Sequence, residues 1–405
     1  MDAEVAEDQT TGGRNRVLIL VENAPLPGDR RVEHEAVSLI ANGYHVSVIC
    51  PAWADQVPYE SFKGVDVYRY RIKSPEGGTL AHVLEYLEAL AKTFWLMLKI
   101  SRKPGFDVIH ACNPPDLFFL LAWPFVLFDK KFIFDQHDLS PELFASLYGH
   151  DRSLVISLLR LTEWCTYRLS TVVISSNESY RKIAHARGGI PFDRSFAVRN
   201  GPREDWPRPV EPDESLKAGS KYLVGYMGVM GKQDGVDALL SAIDVLVNKQ
   251  GFTEAQFALI GDGNAEAELK KQAADLGIES YVDFVGWVAD QDLLSRYLIT
   301  ADACVCPETS SPLNDHSTFI KVMEYMAAGT PIVAFDLPET RVSAGDAALY
   351  VQSGDIEGFA VCIKQVLIDE DLRARITAAA AKRIPGLRWE TQVPNLLAAY
   401  RKALS

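Results

Sequence analysis

Six short stretches of this 405-residue chain hold the residues whose types and spacing suit chemistry on an anion. In residues 22–31 (ENAPLPGDRR), Gly28 stands between an apolar run and a helix-period segment. A glycine there lets backbone amides approach an anion at a helix N-terminus. Arg30 and Arg31 sit at that end, where a cation opposes the helix dipole unless an anion is bound nearby. Residues 226–235 (YMGVMGKQDG) repeat the design: Gly228 and Gly231 free the backbone, and Lys232 is a cation that can reach a phosphate. A third turn, Gly261-Asp262-Gly263, follows the next apolar run, and Gly286-Trp287-Val288 follows the one after. The Walker pattern G-x-x-x-x-G-K-[ST] is not met, and the dinucleotide fingerprint G-x-G-x-x-G is absent from the first turn, which argues against NAD. Solvated turns with surface cations are the plainer reading of each loop.

Two further segments are polar where strands and helices end. In 134–142 (FDQHDLSPE), polar groups crowd the end of an apolar run, which is costly in a core and useful at a cleft. His137 is the most suggestive of the eight histidines, with Asp138 and Glu142 close by. The densest segment is 310–329, where Asn314, Asp315, His316, Ser317 and Thr318 precede a helix-period run that stops at Gly329. Ser317 or Thr318 suits an N-cap. Lys321 and Glu324 lie three apart on one helical face. Glu324 stands amid apolar residues, so a half-buried carboxylate is expected, and the helix start with Lys321 forms an anion site. The plainer alternative is a capped surface helix with one ion pair.

The elements that must position these loops follow from apolar patterning. Runs at 16–21, 45–50, 65–70, 107–111, 131–137, 171–176 and 196–200 read as strands. Several are apolar at consecutive positions, as expected of a parallel sheet covered by helices on both faces. Helix-period segments at 31–42, 79–101, 116–128, 153–169 and 177–187 fit between them, the first stopped by Gly43. Residues 201–220 carry four prolines among charges and read as a linker. The alternation then restarts, with strands at 222–227, 256–260, 282–285, 303–306, 331–335 and 347–351 and helices at 235–249, 265–276, 290–300 and 318–328. A long helical run reaches Pro385, and an amphipathic segment at 389–403 ends the chain. The fold class is therefore α/β, with two doubly wound Rossmann-like domains facing across a cleft. The expected division is a disordered lead-in 1–15, an N-terminal domain 16–200, a linker 201–220, a C-terminal domain 221–385, and a C-terminal helix 386–405 packing back toward the N-terminal domain. Ligands of such sheets bind beyond the carboxyl ends of the strands, so the cleft is the expected site.

Composition narrows the partners. With 41 Lys+Arg against 54 Asp+Glu, the net charge of −13 repels nucleic acid and gives no bulk attraction to anionic lipid, though a local basic patch is compatible with it. The six cysteines show no zinc-ligand spacing and read as buried thiols, which suits a reducing cytosol and a cytoplasmic protein. The acidic, polar N-terminus is no signal peptide. Residues 117–128 (LFFLLAWPFVLF) are too few to span a bilayer and contain Pro124, so a buried helix is expected. The apolar stretch 79–102 reads as core or acceptor-side packing, with peripheral contact to the cytoplasmic face of a membrane as the alternative.

These motifs together resemble the retaining glycosyltransferases of family 4, with the GT-B fold. The resemblance runs along nearly the whole chain, through the Gly28 loop, NPPD, FDQHD, VRNG, YMGVMGKQDGV, LIGDG, VDFVGWV, KVMEYMAAGTPIVAFD and SAGDAALYV. It implies a nucleotide-diphosphate sugar as donor and substrate, held mainly by the second domain. The acceptor hydroxyl belongs to a glycan, a lipid-linked glycan or a small molecule, and transfer retains anomeric configuration without a cofactor or metal. Glu324 matches the second glutamate of the family's E-x7-E motif, which holds the donor ribose. Gly228, Gly231 and Lys232 lie in the loop that meets the diphosphate. Gly261, Gly263, Val285 and Val288 border base and ribose, His137 lies near the transferred sugar, and Gly28 lies beside diphosphate and acceptor. The start of the helix bearing Lys321, with Asp315, Ser317 and Thr318 before it, points at phosphates and sugar. The chain departs from the pattern at His316, which stands where the first glutamate would, and at Val229 and Asp234, where many relatives have arginine and lysine. The diphosphate charge then falls to Lys232, Lys321, Arg199 and the Arg30/Arg31 pair, in that order. His137, Lys232, Lys321 and His316 are the expected catalytic set. A sugar-nucleotide epimerase of the same architecture and a non-catalytic partner subunit are the competing functions.

Overall fold

The structure, a computed structural model, describes residues 15–53, 55–72, 79–149 and 153–405. The expected lead-in therefore lies outside the described residues except for Asn15.

The first group of Val/Ile/Leu-rich runs forms β1 (Arg16–Leu20), β2 (His45–Pro51), β3 (Tyr59–Phe62), β4 (Val65–Tyr70), β5 (Val108–Cys112), β6 (Lys131–Gln136), β7 (Val172–Ser175) and β8 (Ser195–Ala197). They build one sheet in the order β3-β4-β2-β1-β5-β6-β7-β8, parallel throughout except for β3, which pairs antiparallel with β4 at the edge. The second group forms β9 (Tyr222–Met227), β10 (Ala255–Ile260), β11 (Val282–Gly286), β12 (Ala303–Cys306), β13 (Ile332–Phe335) and β14 (Ala348–Val351). Their order is β11-β10-β9-β12-β13-β14, and every pairing is parallel. The strand order reverses between β1 and β5 in one sheet and between β9 and β12 in the other. Such switch points leave a crevice at the carboxyl ends of the strands. The loops bearing Gly28 and Gly228 leave β1 and β9, at these two points.

Both faces of each sheet are covered, as the consecutive apolar patterning predicts. Val17 and Ile19 pack into one core with helix Arg30–Ala41, while Leu18 and Leu20 pack into another with helix Thr79–Arg102. In the second sheet Val224 and Leu223 divide in the same way. The last helix, Val393–Leu404, buries Leu396, Ala399, Tyr400 and Ala403 in the core of the first sheet. The chain thus crosses between the halves twice, and the crossings touch. Trp389 donates its backbone N–H to the Pro202 carbonyl at 3.0 Å. A Cβ on Gly201 would stand 1.8 Å from the Leu387 carbonyl oxygen.

Several elements differ from expectation. Strand β3 is short and polar at Glu60 and Ser61, so it lacks an apolar run. Helices Ser140–Tyr148 and Pro338–Ala344 form in segments to which the sequence reading assigns no element. The long C-terminal run breaks at Asp369, whose side chain caps helix Glu370–Arg383 by accepting from the Leu372 N–H. The helix expected over 116–128 is shorter, Phe119–Val126, and is only partly buried: Leu120 is 47% and Trp123 50% exposed, and Leu127 and Phe128 after its end are 71% and 80% exposed. Its inward residues Leu121 and Ala122 satisfy the core, which leaves the rest facing out. Cys50, Cys112, Cys304 and Cys306 are buried and the six cysteines are free thiols. Among the described residues, no helix is long and apolar enough to cross a membrane.

Candidate active site

On the first half, Asp29 caps helix Arg30–Ala41 by accepting from the Val32 N–H at 3.0 Å. Arg30 reaches outward: its Nη1 lies 2.8 Å from Glu324 Oε1 on the other half. Arg31 turns inward, to Asp135 at 2.7 and 3.0 Å, the Val198 carbonyl at 2.8 Å and Glu35 at 3.1 Å. Only 4% exposed, Arg31 spends its charge on the buried Asp135 and Glu35, although it also lines the smaller of the cavities described below.

Asp135, at the end of β6, is the hub beneath this surface. Its Oδ2 is 2.6 Å from His137 Nε2 and 3.4 Å from His110 Nε2. Burial works against its charge, but Arg31 and His137 outweigh it and hold the carboxyl well below the usual range. Burial, then the charge of Asp135, pushes Glu35 well up, and burial pushes His110 down. His137 is thereby tethered by ring and backbone, its N–H donating to Asn113 Oδ1 at 2.7 Å. The ligand atoms of His110, Cys112 and Asp135 lie within 4.8 Å of one another. They suit a metal poorly. The Asp135 carboxylate is taken by Arg31, His110 Nδ1 is bonded to the Tyr400 hydroxyl at 2.7 Å, and burial raises the Cys112 thiol well above its ordinary value.

On the second half the glycine loops interlock backbone on backbone. Gly228 N–H donates to the Ile260 carbonyl at 3.0 Å, and Met230 N–H to that of Asp262 at 2.8 Å. Gly261 has φ +125°, and a Cβ there would stand 2.0 Å from the Gly228 carbonyl oxygen; at Gly263 it would meet Met230. Gly231 N–H is occupied by Asp234 Oδ2 at 3.0 Å. Burial raises that carboxyl to about 6, with Glu308 adding and Lys321 opposing. Lys232 is exposed.

Lys321 lies beneath Gly228, whose Cβ would stand 2.7 Å from its Nζ. It is paired with the buried Glu308 and sits 4.2 Å from the centroid of the Tyr226 ring. Burial opposes its charge, and Glu308 with Tyr226, Cys306 and Asp234 together more than restore it. Its charge is committed to Glu308 rather than standing open to a phosphate, which corrects the expectation. Arg199 is likewise committed: Nη2 lies 3.3 Å from Glu339 Oε2 and Nη1 donates to Ser343 and Thr318. Glu339, 2% exposed, also accepts from Ser179 at 2.6 Å and from Thr318.

The 310–319 loop seals the two halves. Asn177 donates to the His316 carbonyl at 2.8 Å and to Thr318 Oγ1 at 3.0 Å, and the hydroxyls of Tyr180 and Ser317 bond at 3.1 Å. Asp315 accepts from Ser310, and Asn314 donates to the Gln233 carbonyl. Ser317 and Thr318 are therefore not N-caps. Helix Ile320–Ala328 starts after Phe319 with no side-chain cap, so its first amides keep no side-chain partner. Helix Ile320–Ala328 carries Glu324, 7% exposed at its side chain.

Two cavities result. One of about 220 Å³ is lined by His137, Asp138, Tyr180, Ser317, Thr318 and Ile320, among others. The other, about 410 Å³, is lined by Arg30, Asn200, Trp206, Gln291, Ile320 and Glu324, among others. Lys232, Val285 and Val288 line neither; both valines pack half-buried against the second core. The hub Asp135 and the acids Glu308 and Glu339 were missed in the sequence. Their only signal was an acidic residue at the end of an apolar strand or just after one.

Two family models match the chain. One, described as Glycosyltransferase Family 4, covers residues 28–204, and one described as Glycosyl transferases group 1 covers 221–369. The lipopolysaccharide core biosynthesis glycosyltransferase LpsE of Rhizobium meliloti is 34% identical over 130 residues, 32% of this chain and 36% of the relative. A phosphatidyl-myo-inositol mannosyltransferase of Mycolicibacterium smegmatis is 33% identical over 168 residues, 41% of each chain. The matched stretches thus span well under half the length of these curated relatives. Among solved structures, sucrose-phosphate synthase from Thermosynechococcus elongatus superposes with a TM-score of 0.78 at 17% identity, covering 96% of this chain and 99% of that one. Anabaena HepE in complex with UDP-glucose gives 0.71 at 18% identity, covering 95% and 99%. Both likenesses are of fold.

Proposed function

Because this chain belongs to the family 4, group 1 glycosyltransferases, we propose that it moves a hexosyl group from a nucleotide-diphosphate sugar to an acceptor hydroxyl, with retention at the anomeric carbon. The observation that carries the reading is the position of Glu324. It is a buried carboxylate on the cleft wall, opposite the loop that leaves the switch point of the first sheet. There it suits the hydroxyls of a ribose. The uncapped start of helix Ile320–Ala328 faces the same space and favours a diphosphate.

Departure of a nucleoside diphosphate develops negative charge, which oriented amides and cations stabilise as it forms. In this reading Arg30 and Lys232 supply the cations, since Arg31, Lys321 and Arg199 are buried with their acids, whereas Arg30, though paired with Glu324, is half-exposed. His137, fixed by Asp135 and Asn113, positions the sugar. The acceptor oxygen attacks the anomeric carbon on the leaving group's own face. The bond to the diphosphate breaks, and a departing phosphate oxygen takes the acceptor proton. The names of two relatives point to acceptors carried on lipid, a lipopolysaccharide core and a phosphatidyl-inositol, and we propose a lipid-borne acceptor here too.

The test is to follow nucleoside diphosphate release from a panel of UDP-, GDP- and ADP-sugars, with and without acceptor. Release that needs acceptor supports transfer. Conversion of the sugar nucleotide without release would make the protein an epimerase. If no sugar nucleotide raises the melting temperature, it is a partner subunit.

A further inference from the structure

We propose that the smaller cavity admits an uncharged sugar ring and turns away a uronic acid, and that Asp138, with Ser176 and Asn200, reads that difference. The inference rests on the function proposed above, in which a nucleotide-diphosphate sugar is the donor. Asn200 and Ile320 line both cavities, so the two adjoin at the start of helix Ile320–Ala328. Glu324 lines the larger one, of about 410 Å³, and Asp138 the smaller, of about 220 Å³. Pockets that take drug-sized ligands run from roughly 300 to 1,000 Å³, so the smaller cavity suits a single ring. A donor laid through both has its ribose at Glu324, its diphosphate at the uncapped helix start and its sugar against Asp138.

Three neighbouring strands deliver the polar wall of this cavity. Asp138 stands two residues after β6, Ser176 one after β7 and Asn200 three after β8, so the groups gather at the carboxyl ends of adjacent strands. Asp138 is fixed through its backbone: its N–H donates to Asn113 Oδ1 at 3.2 Å, and its carbonyl accepts from Asn113 Nδ2 at 2.8 Å. Its carboxylate has no hydrogen bond or ion pair among the described residues, and the side chains of Ser176 and Asn200 have no hydrogen bond there either. Partly buried polar groups are costly until a ligand bonds them. Ring hydroxyls can donate to the carboxylate and exchange hydrogen bonds with the serine hydroxyl and the amide. Charge then sets the class of sugar. Asp29 also lines the cavity, and it adds to burial in raising the proton affinity of Asp138, with His137 opposing. The one arginine in the lining, Arg31, is spent on Asp135 and Glu35. A sugar carboxylate in so small a space lies within reach of both acids, and like charges brought together discriminate against such a ligand.

The test is titration calorimetry on the full chain, which reads binding without transfer. The probes are UDP, UDP-glucose, UDP-galactose and UDP-glucuronate, and GDP, GDP-mannose and GDP-mannuronate. The neutral sugar nucleotide that binds best is expected to bind about tenfold or more tighter than the uronate on the same base. Asp138→Asn keeps the shape and removes the charge, so it narrows that gap to about threefold or less. Ser176→Ala weakens the neutral sugar nucleotide by about threefold. In both variants affinity for the nucleoside diphosphate alone moves by less than about twofold, which also shows that they are folded. A uronate that binds as tightly as the best neutral sugar overturns the proposal, and so does a gap that Asp138→Asn leaves unchanged. A nucleoside diphosphate that binds as well as all its sugar forms overturns it too, while the nucleotide cleft stands. If no nucleotide binds at all, the donor reading falls and this inference with it.

Discussion

Arg30 and Glu324 stand 294 residues apart in the chain and meet at 2.8 Å across the cleft. Burial raises the proton affinity of Glu324, and Arg30 works against that rise. A cation of the opposite half thus offsets part of the cost of burying the carboxylate. Arg30 is half-exposed, and in the function proposed above it turns to the diphosphate of a sugar nucleotide that displaces it from Glu324.

Replacing Glu324 tests this arrangement. A charge-assisted hydrogen bond contributes about 1.5–3 kcal/mol. Glu324→Ala is therefore expected to raise donor KM by about ten- to a hundredfold while far-UV circular dichroism stays native. Unchanged donor affinity would remove Glu324 from the site.

His137 is held on both sides, by Asp135 and Asn113, as a group that orients a reacting sugar must be. His137→Ala is expected to lower kcat about tenfold or more and to move donor KM by less than about threefold. Initial rates over a range of donor concentrations separate the two. A change confined to KM would make His137 a binding residue only.

Asp135 is the charge that Arg31, His137 and His110 share in the core. Asp135→Ala leaves Arg31 with Glu35 alone, a loss of about 3–5 kcal/mol for a broken buried pair. Because its native pKa lies well below the ordinary value, Asp135 contributes its full stability above about pH 4. That stability is lost as pH falls below 4 toward the depressed native pKa. Urea midpoints over this acid range should fall less steeply in the variant than in the wild type; parallel curves would refute the linkage.

Asp234 occupies the Gly231 amide with a carboxyl raised to about 6 by burial. Above that pH it is an anion inside the loop proposed to meet a diphosphate. Donor KM should therefore rise as pH increases from 5 to 7.5, about a unit or more either side of that pKa. Asp234→Asn should lower KM at pH 7.5 and flatten the profile. A wild-type profile that is flat, or that falls across pH 6, counts against this role.

Local patterning made the two sheets readable. The run RVLILV became β1 and YLVGYM became β9 because apolar side chains on consecutive positions have one stable place, between two helical layers. The glycine loops were readable for a related reason, since close backbone approach, as at Gly261 against Gly228, excludes any Cβ. Strand β3 was not legible, because at a sheet edge hydrogen bonding to one neighbour suffices and no apolar run is needed. The burial of residues 117–128 was misjudged because composition does not say which side of a helix has a partner.

From its residues alone, the chain determined two α/β halves, a cleft and the glycine turns that border it, since these follow from properties each segment carries locally. Tertiary structure decided which charges face that cleft. Arg30 and Arg31 are adjacent, yet one reaches Glu324 and the other Asp135, 104 residues away, because neighbours on a helix point about 100° apart. Lys321 and Arg199, which look equally open to a phosphate in sequence, are claimed by Glu308 and Glu339. Ion pairing depends on distance in space, and the fold alone sets that distance.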